Sequence, residues 1–307
     1  MNSIYQKTIS KPLKFEGIGL HSGKKSKITL IPAAKNQGVI FKRIDVKLNN
    51  LIKASYQNVF SARLCTTLQN ENGLKVSTVE HLLAALYVAG IDNVIIEIDN
   101  EEVPIMDGSA KIFLEKLKRT ETKNLISKRK YLKILDKIGL INGNRKISIE
   151  PHNSFKVDFQ LEYQNKIIGN QMNCVDFEND NLKEVIEART FCLYEDIEKI
   201  KKSGLAKGGS LDNAVVVDNN KVLNKDGLRN KNEFVNHKIL DLAGDFLLSG
   251  YRIFGKITCY QGGHELSNLF LRKLLSTKTC YSLVQADSAI SRKQIDQFDT
   301  VVMAVSA

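Results

Sequence analysis

The side chains best suited to chemistry lie in an apolar segment near residue 240. His237, Asp241 and Asp245 are spaced four residues apart, so a helix would align them along one face. The residues around them are mostly apolar, which predicts a buried helix over 231–249. Because an unpaired buried charge is costly, these three groups need partners. They indicate either a structural network of ion pairs and hydrogen bonds or a metal site.

A second histidine favours the metal site. His81 lies in another apolar segment, next to Glu80. Together His81, His237 and Asp241 would supply the two imidazoles and one carboxylate of a catalytic zinc (Zn2+) centre, which leaves one position for water. The same ligands suit iron (Fe2+). Glu80 could then act as the general base on that water.

Glu80 also has a purely structural interpretation. Ser77 and Glu80 have the spacing of a capping box, in which the glutamate reaches back to the N-terminus of its own helix. Taken alone, this pattern favours the capping role.

The third candidate is His264, which follows Gly262 and Gly263 at a predicted turn from a strand to a helix. Asp245, one helical turn beyond Asp241, could hold His264 protonated as a general acid. His21, between glycines in a loop, could be no more than a turn contact.

The elements that must position these residues follow the same order in both halves of the chain. Short strand-like segments fill residues 6–76, and the remaining elements of the first half are a helix at 77–90, a strand at 93–98 and a helix at 109–119. The second half has strands at 131–141, 145–150 and 155–163, an excursion at 187–218, a helix at 231–249, a strand at 255–260 and a helix at 264–275.

This repeated order predicts an α+β fold of two domains with related topology. Each domain would be a mainly antiparallel sheet with two helices, and the two helix layers would pack together between the sheets. A polar, basic stretch at 120–130 places the boundary, giving domains 1–125 and 126–307. The first carries Glu80 and His81; the second carries the other candidates and the 187–218 insert. The tail from residue 276 is expected to pack on the second domain as strand or helix.

The composition is that of a soluble globular protein. Hydrophobic residues make up 43% of the 307 residues and charged residues 26%, and the mean hydropathy is −0.20, which argues against a disordered or membrane-spanning chain. The N-terminus has no apolar segment typical of secretion signals, and the five cysteines form no CxxC pair, so we expect reduced thiols and a cytoplasmic location.

The net charge of +11 would attract phosphates, nucleic acid or an anionic membrane. A basic nucleic-acid-binding protein, with its buried His and Asp residues purely structural, is the rival from another class. Lysine is scattered and no arginine-rich block occurs, so we expect no nucleic-acid partner. We also expect no stable membrane insertion and a monomer.

Six segments together resemble a known family. They are GIGLHSG (17–23), STVEHLLAAL (77–86), VPIMDGS (103–109), ARTF (188–191), GGSLDNA (208–214) and NHKILDLAGD (236–245). In this order, and spanning nearly the whole chain, they closely resemble the zinc-dependent UDP-3-O-acyl-N-acetylglucosamine deacetylases of lipid A biosynthesis. One departure is Ser267, where the family commonly has asparagine.

The resemblance implies hydrolysis of the 2-acetamido group of an acylated UDP-sugar, the committed step of lipid A biosynthesis. It implies the roles given above for the metal ligands His81, His237 and Asp241, the base Glu80, and the acid His264 supported by Asp245. It further implies that Thr190 and the metal stabilise the oxyanion and that Lys238 brings positive charge near the substrate. Phe191 would lie at the mouth of an apolar acyl passage built from residues 187–218. A zinc amidohydrolase acting on another N-acylated sugar is the rival within the same class.

Overall fold

The computed structural model describes residues 4–286, which form two main sheets with helices between them and three smaller sheets. The strands of the first half are β1 (Tyr5–Ile9), β2 (Leu13–Ile18), β3 (Lys25–Pro32), β4 (Val39–Arg43), β5 (Leu51–Lys53), β6 (Val59–Ser61), β7 (Thr67–Gln69), β8 (Lys75–Val76), β9 (Val94–Ile98) and β10 (Thr122–Lys128). Those of the second half are β11 (Lys130–Ile134), β12 (Ile138–Asn142), β13 (Arg145–Glu150), β14 (Phe155–Glu162), β15 (Asn170–Asp176), β16 (Phe191–Leu193), β17 (Val215–Asp218), β18 (Lys221–Val222), β19 (Arg252–Tyr260) and β20 (Tyr281–Gln285). The helices are α1 (Glu80–Ala89), α2 (Lys111–Lys118), α3 (Lys183–Ile186), α4 (Tyr194–Lys202), α5 (Glu233–Leu247) and α6 (His264–Ser276).

The two main sheets share one strand order. The first runs β2-β3-β9-β4-β5, and its central strand β9 is antiparallel to β3 and parallel to β4. In the second sheet β12, β13, β19, β14 and β15 repeat this order and these directions, while β11 and β20 extend the sheet beside the start of β19. In each half a helix, α1 or α5, directly precedes the central strand. The predicted α+β fold of two related units is confirmed.

The two helices that precede the central strands form the interior layer. In α1 the run Leu82–Leu86 is buried on every side, because five consecutive apolar residues leave the helix no polar face. Helix α5 is buried over nearly its whole length. The two helices pack directly on each other, and a Cβ atom at Gly244 of α5 would lie only 2.1 Å from the Glu80 carbonyl oxygen. The predicted packing of the helix layers is therefore confirmed.

Several predicted elements have different bounds in the structure. The strand predicted over 131–141 is two strands, β11 and β12, because the exposed residues 135–137 form a turn between them. The predicted boundary at 125/126 falls inside β10, which pairs with β1, and the domain division stays a prediction. Of the predicted tail, β20 joins the second sheet, whereas residues 287–307 lie outside the described range. Among residues 4–286 no helix has the length and apolarity that a membrane crossing needs.

The insert at 187–218 contributes a small sheet of its own. Strands β16 and β17 are parallel and β18 is added antiparallel to β17, with helix α4 connecting the first two strands. Gly208 in this insert approaches the loop at residues 19–23 so closely that a Cβ atom would lie 2.3 Å from the Gly19 carbonyl oxygen. The insert is thus seated on the first half of the chain, although its own strands belong to the second.

Candidate active site and metal centre

Three candidate ligands from the two interior helices meet at one point. His81 is the second residue of α1, and His237 and Asp241 lie one turn apart on α5. Asp241 Oδ1 lies 3.4 Å from His81 Nε2 and 3.3 Å from His237 Nε2. Atoms bound tetrahedrally at ~2.0–2.1 Å from a zinc ion would lie ~3.3–3.4 Å apart, so the spacing fits such an ion.

The protonation states of this cluster also fit a metal. Burial lowers the pKa of His237 to about 3, so its imidazole is neutral. Burial alone would raise the pKa of Asp241, but the positive charges of Lys238 and His264 outweigh it and hold that pKa well below its usual value. A neutral imidazole and an ionised carboxylate are the forms that bind a cation.

The surrounding hydrogen bonds orient the ligand atoms inward. His237 Nδ1 lies 3.1 Å from the Ala188 carbonyl oxygen, so this nitrogen carries the proton and donates it, leaving Nε2 free. Lys238 Nζ donates to Asp241 Oδ2 at 2.9 Å. Asp241 Oδ1 is buried and has no hydrogen-bond partner within residues 4–286. An unpartnered carboxylate oxygen facing two imidazoles is what a cation would satisfy.

Glu80 points into the same site, and the capping-box interpretation is wrong. Within residues 4–286 no side chain caps α1. The Ser77 hydroxyl donates instead to the Glu101 carbonyl, and Glu80 Oε2 accepts a hydrogen bond from the Thr66 amide at 3.1 Å. The physical reason is the turn before the helix, where Thr78 has a left-handed φ of 57°. Such a conformation is unfavourable for a β-branched residue and directs Ser77 away from the helix end.

Burial raises the pKa of Glu80, although the nearby His264 and His81 oppose this. Glu80 is only 2% exposed. A carboxylate whose pKa is raised is a stronger proton acceptor than an ordinary surface glutamate.

His264 is the first residue of α6 and faces Glu80 across the site. Its Nδ1 lies 2.9 Å from Asp245 Oδ2, and its Nε2 lies 3.6 Å from Glu80 Oε1. Burial alone would lower the pKa of His264, but the carboxylates of Asp245, Glu80 and Asp241 outweigh it and raise the pKa to about 10. At neutral pH the ring is therefore an imidazolium that can give up a proton.

The remaining predicted residues line the space around this centre. The Thr190 amide donates to the Gly108 carbonyl at 2.8 Å, and the Thr190 carbonyl accepts from the Val215 amide at 2.7 Å, which fixes the threonine beside the site. Lys238 Nζ lies 5.4 Å from the centre of the Phe191 ring, within the range of a cation–π contact.

Beside the polar centre lies an apolar cavity of about 330 Å³. Its walls come largely from the insert and include Phe191, Ile197, Ile200, Leu211 and Val216. Leu20, His21, Leu64 and Thr190 line both this cavity and the polar centre, so the two spaces adjoin.

The sequence analysis gave His21 too small a role and did not identify Thr66. His21 is more than a turn contact: it is 8% exposed and lines both spaces, and the Glu102 carboxylate fixes its loop by accepting from the amides of His21 and Ser22. The flanking glycines of GLHSG were the available signal. Thr66, which contacts Glu80, had no signal in the sequence. Ser267, the departure from the family pattern, is buried in the first turn of α6.

Comparison with known proteins places the chain in a family. A sequence profile described as LpxC, UDP-3-O-acyl N-acetylglycosamine deacetylase, matches residues 6–276. A curated UDP-3-O-acyl-N-acetylglucosamine deacetylase from Syntrophotalea carbinolica is 41% identical over 304 residues, covering 99% of this chain and 98% of that protein. Proteins of the same name from Pasteurella multocida and Pseudoalteromonas translucida are 42% and 38% identical, over 92% and 94% of this chain and 94% and 96% of their own. The chain therefore belongs to the LpxC family of UDP-3-O-acyl N-acetylglycosamine deacetylases.

Proposed function

We propose that this protein hydrolyses the 2-acetamido group of UDP-3-O-acyl-N-acetylglucosamine, giving acetate and the free amine, as a step of lipid A biosynthesis. The observation that carries the proposal is a buried His81, His237 and Asp241 cluster directly beside an apolar cavity of about 330 Å³. A hydrolytic centre next to space for an acyl chain is what such a substrate requires. The names of the relatives point to the same reaction. The five free cysteines favour a cytoplasmic setting.

His81, His237 and Asp241 would hold a zinc ion, or iron(II), for which the same donor atoms are suitable. Bound there, the metal would polarise the amide carbonyl and lower the pKa of a water molecule. Lys238, which is ion-paired with Asp241 at 2.9 Å, adds positive charge on the substrate side of the ligand set. The pairing also keeps the Asp241 carboxylate ionised.

The proton transfers belong to Glu80 and His264. Glu80 accepts the proton of the water whose oxygen bonds to the amide carbon, and the Thr190 hydroxyl donates to the carbonyl oxygen as negative charge develops there. The imidazolium of His264 then donates a proton to the amide nitrogen, so that the C–N bond breaks and a neutral amine departs. Because Glu80 Oε1 and His264 Nε2 are 3.6 Å apart, one bound amide can be reached by both groups.

Phe191 connects the two spaces. Its ring packs edge-on against Phe234 and lies beside His237, while the apolar cavity begins on its other side. We assign Phe191 to the mouth of the passage that takes the acyl chain. The affinity gained there would come from burial of apolar chain, at roughly 0.8 kcal/mol per methylene.

Metal content and turnover measured on the same purified protein test this proposal. We expect about one zinc per chain by atomic emission, loss of deacetylation on chelation, and recovery on adding metal back. Glu80→Ala should keep its metal and lose turnover, whereas His237→Ala should lose the metal. A protein with no bound metal, or chelator-insensitive deacetylation, would refute the ligand set. Competition by free UDP separates this reaction from deacetylation of another N-acylated sugar, which UDP would leave unaffected.

A further inference from the structure

Thr66 is a buried residue that contacts acid–base groups from both halves of the chain. It lies directly before β7 and is 2% exposed. Its amide donates to Glu80 Oε2 at 3.1 Å, and its hydroxyl donates to Asp245 Oδ1 at 2.6 Å. Glu80 belongs to α1 and Asp245 to α5, so Thr66 joins the two helices on which the site is built.

These contacts complete a ring of four residues. The Asp245 carboxylate accepts from Thr66 at Oδ1 and from His264 Nδ1 at Oδ2, at 2.6 and 2.9 Å. His264 Nε2 faces Glu80 Oε1 at 3.6 Å, and Glu80 Oε2 returns to the Thr66 amide. Every member of the ring is less than 9% exposed. Water therefore has little access to replace any of these contacts.

Within this ring the Thr66 hydroxyl determines how the Asp245 carboxylate can rotate. Among residues 4–286, the Thr66 hydroxyl and the His264 ring supply the hydrogen bonds to that carboxylate. Hydrogen bonds to an ionised acceptor are short and strong, and one on each oxygen fixes the plane of the group. Without the hydroxyl, the carboxylate could turn about its Cβ–Cγ bond, and the His264 ring would turn with it.

We infer that Thr66 is a positioning residue, which orients His264 through Asp245 and holds Glu80 by its own amide. The proton acceptor and the proton donor are then fixed relative to each other by one residue that is not among those lining the polar centre. The roles of Glu80 and His264 in this inference rest on the proposed function. The bonding ring itself does not.

Thr66→Val and Thr66→Ser form a matched pair for the kinetic test. Valine keeps the shape and removes the hydroxyl, whereas serine keeps the hydroxyl. We expect Thr66→Val to lower kcat by roughly 10- to 100-fold, the usual effect of losing a hydrogen bond that orients an active-site group, with KM and metal content unchanged. Thr66→Ser should stay within a few-fold of the wild type. Thr66→Ala removes both the hydroxyl and the methyl group, so it introduces no steric clash, and it serves if the valine variant does not fold.

A double-mutant cycle separates positioning from a general structural role. In an Asp245→Ala background the hydroxyl has no carboxylate to orient, so Thr66→Val should cause no further loss of kcat. If the valine variant lowers kcat by the same factor in both backgrounds, Thr66 does not act through Asp245 and the inference is overturned.

A spectroscopic readout tests the ring independently of any substrate. The His264 Nδ1 proton, hydrogen-bonded to Asp245, should give a low-field imidazole resonance that disappears in His264→Gln. We expect this resonance to shift or broaden in Thr66→Val and to persist in Thr66→Ser. A resonance unchanged by the valine substitution would overturn the inference. A resonance that responds as expected in a protein that leaves the UDP-sugar intact would refute the proposed function and retain the positioning role.

Discussion

The contact between α1 and α5 at Gly244 allows a quantitative prediction for the Gly244→Ala variant. A Cβ atom on this residue would lie 2.1 Å from the Glu80 carbonyl oxygen and 2.8 Å from its carbonyl carbon. Both are backbone atoms of a buried helix, so no side-chain rotation can relieve the clash. Restoring an ordinary contact of ~3.4 Å would require the two helices to separate by roughly 1.3 Å at this point.

That separation would act directly on the proposed metal centre, because its proposed ligands are divided between the two helices. His81 lies on α1, and His237 and Asp241 lie on α5. Metal–ligand distances tolerate about 0.2 Å of deviation, and a misplacement of about 1 Å between reacting groups costs about 100-fold in rate. We therefore expect Gly244→Ala to weaken metal binding and to lower turnover by roughly 100-fold or more.

The sign of the stability change is equally diagnostic. Glycine to alanine within a helix ordinarily stabilises it by about 1 kcal/mol, because alanine has the higher helix propensity. Here overpacking should outweigh that gain and lower the free energy of unfolding by about 1–3 kcal/mol. Urea unfolding measures this change in the free energy of unfolding separately from metal content and turnover.

Gly139→Ala is the matched control for these measurements. Gly139 is an exposed residue of β12, where a Cβ atom would have the Ser148 Cβ as its nearest neighbour at 3.2 Å. The same added methyl group should leave metal affinity and turnover at wild-type values. If Gly244→Ala also binds metal and turns over like the wild type, the close approach of the helices does not set the ligand geometry, and the reasoning fails.

Three further predictions concern acid–base chemistry, stability and substrate selection. The rate of deacetylation should fall at acidic pH, because Glu80, whose pKa is raised, gains a proton. It should also fall at alkaline pH, because His264, whose pKa is about 10, loses one. A rate independent of pH from about 5 to about 11 would contradict this assignment. Glu233→Ala should lower the free energy of unfolding by about 3–5 kcal/mol in urea titrations, because it leaves the buried Arg189 guanidinium without its carboxylate partner. A loss below about 1 kcal/mol would contradict the expected cost of an unpaired buried charge. Ile200→Trp should narrow the apolar cavity and lower kcat/KM for long-chain substrates by at least about tenfold, while kcat/KM for short-chain substrates stays unchanged. An equal effect on both would mean that the acyl chain binds outside this cavity.

The sequence predicted the fold as far as local periodicity carries information. The change from alternating apolar residues to a continuous apolar run after residue 77 located α1, and Gly90, which has a left-handed φ of 75°, ends that helix as predicted. The repeated order of strands and helices was enough to predict two related units, because the pattern of apolar residues follows the fold and does not require identical residues in the two halves. The turn at 135–137 was missed because it contains neither glycine nor proline.

Regular spacing alone reveals site residues only where one element carries several of them. The four-residue spacing of His237, Asp241 and Asp245 is visible on α5 alone. Thr66 could not be found in this way, since its partners Glu80 and Asp245 are 14 and 179 residues away. Such contacts depend on tertiary packing, and no short pattern records them.

Glu80 shows how a correct local pattern can give the wrong role. Ser77 and Glu80 satisfy the capping-box spacing, yet the Thr78 hydroxyl is bound by the Glu102 carboxylate at 2.9 Å and holds the left-handed turn that separates them. Among the residues that the structure describes, the N-terminus of α1 therefore has no side-chain cap, and the Glu80 side chain points into the site. Glu102 also fixes the loop of His21, so one buried carboxylate holds both this loop and the turn at Thr78 in place. Both segments belong to the first half, whereas α5 and α6 of the second half supply the other side chains of the site. The proposed ligand set and the proposed proton-transfer pair are each divided between the halves, so neither half alone contains all of these residues.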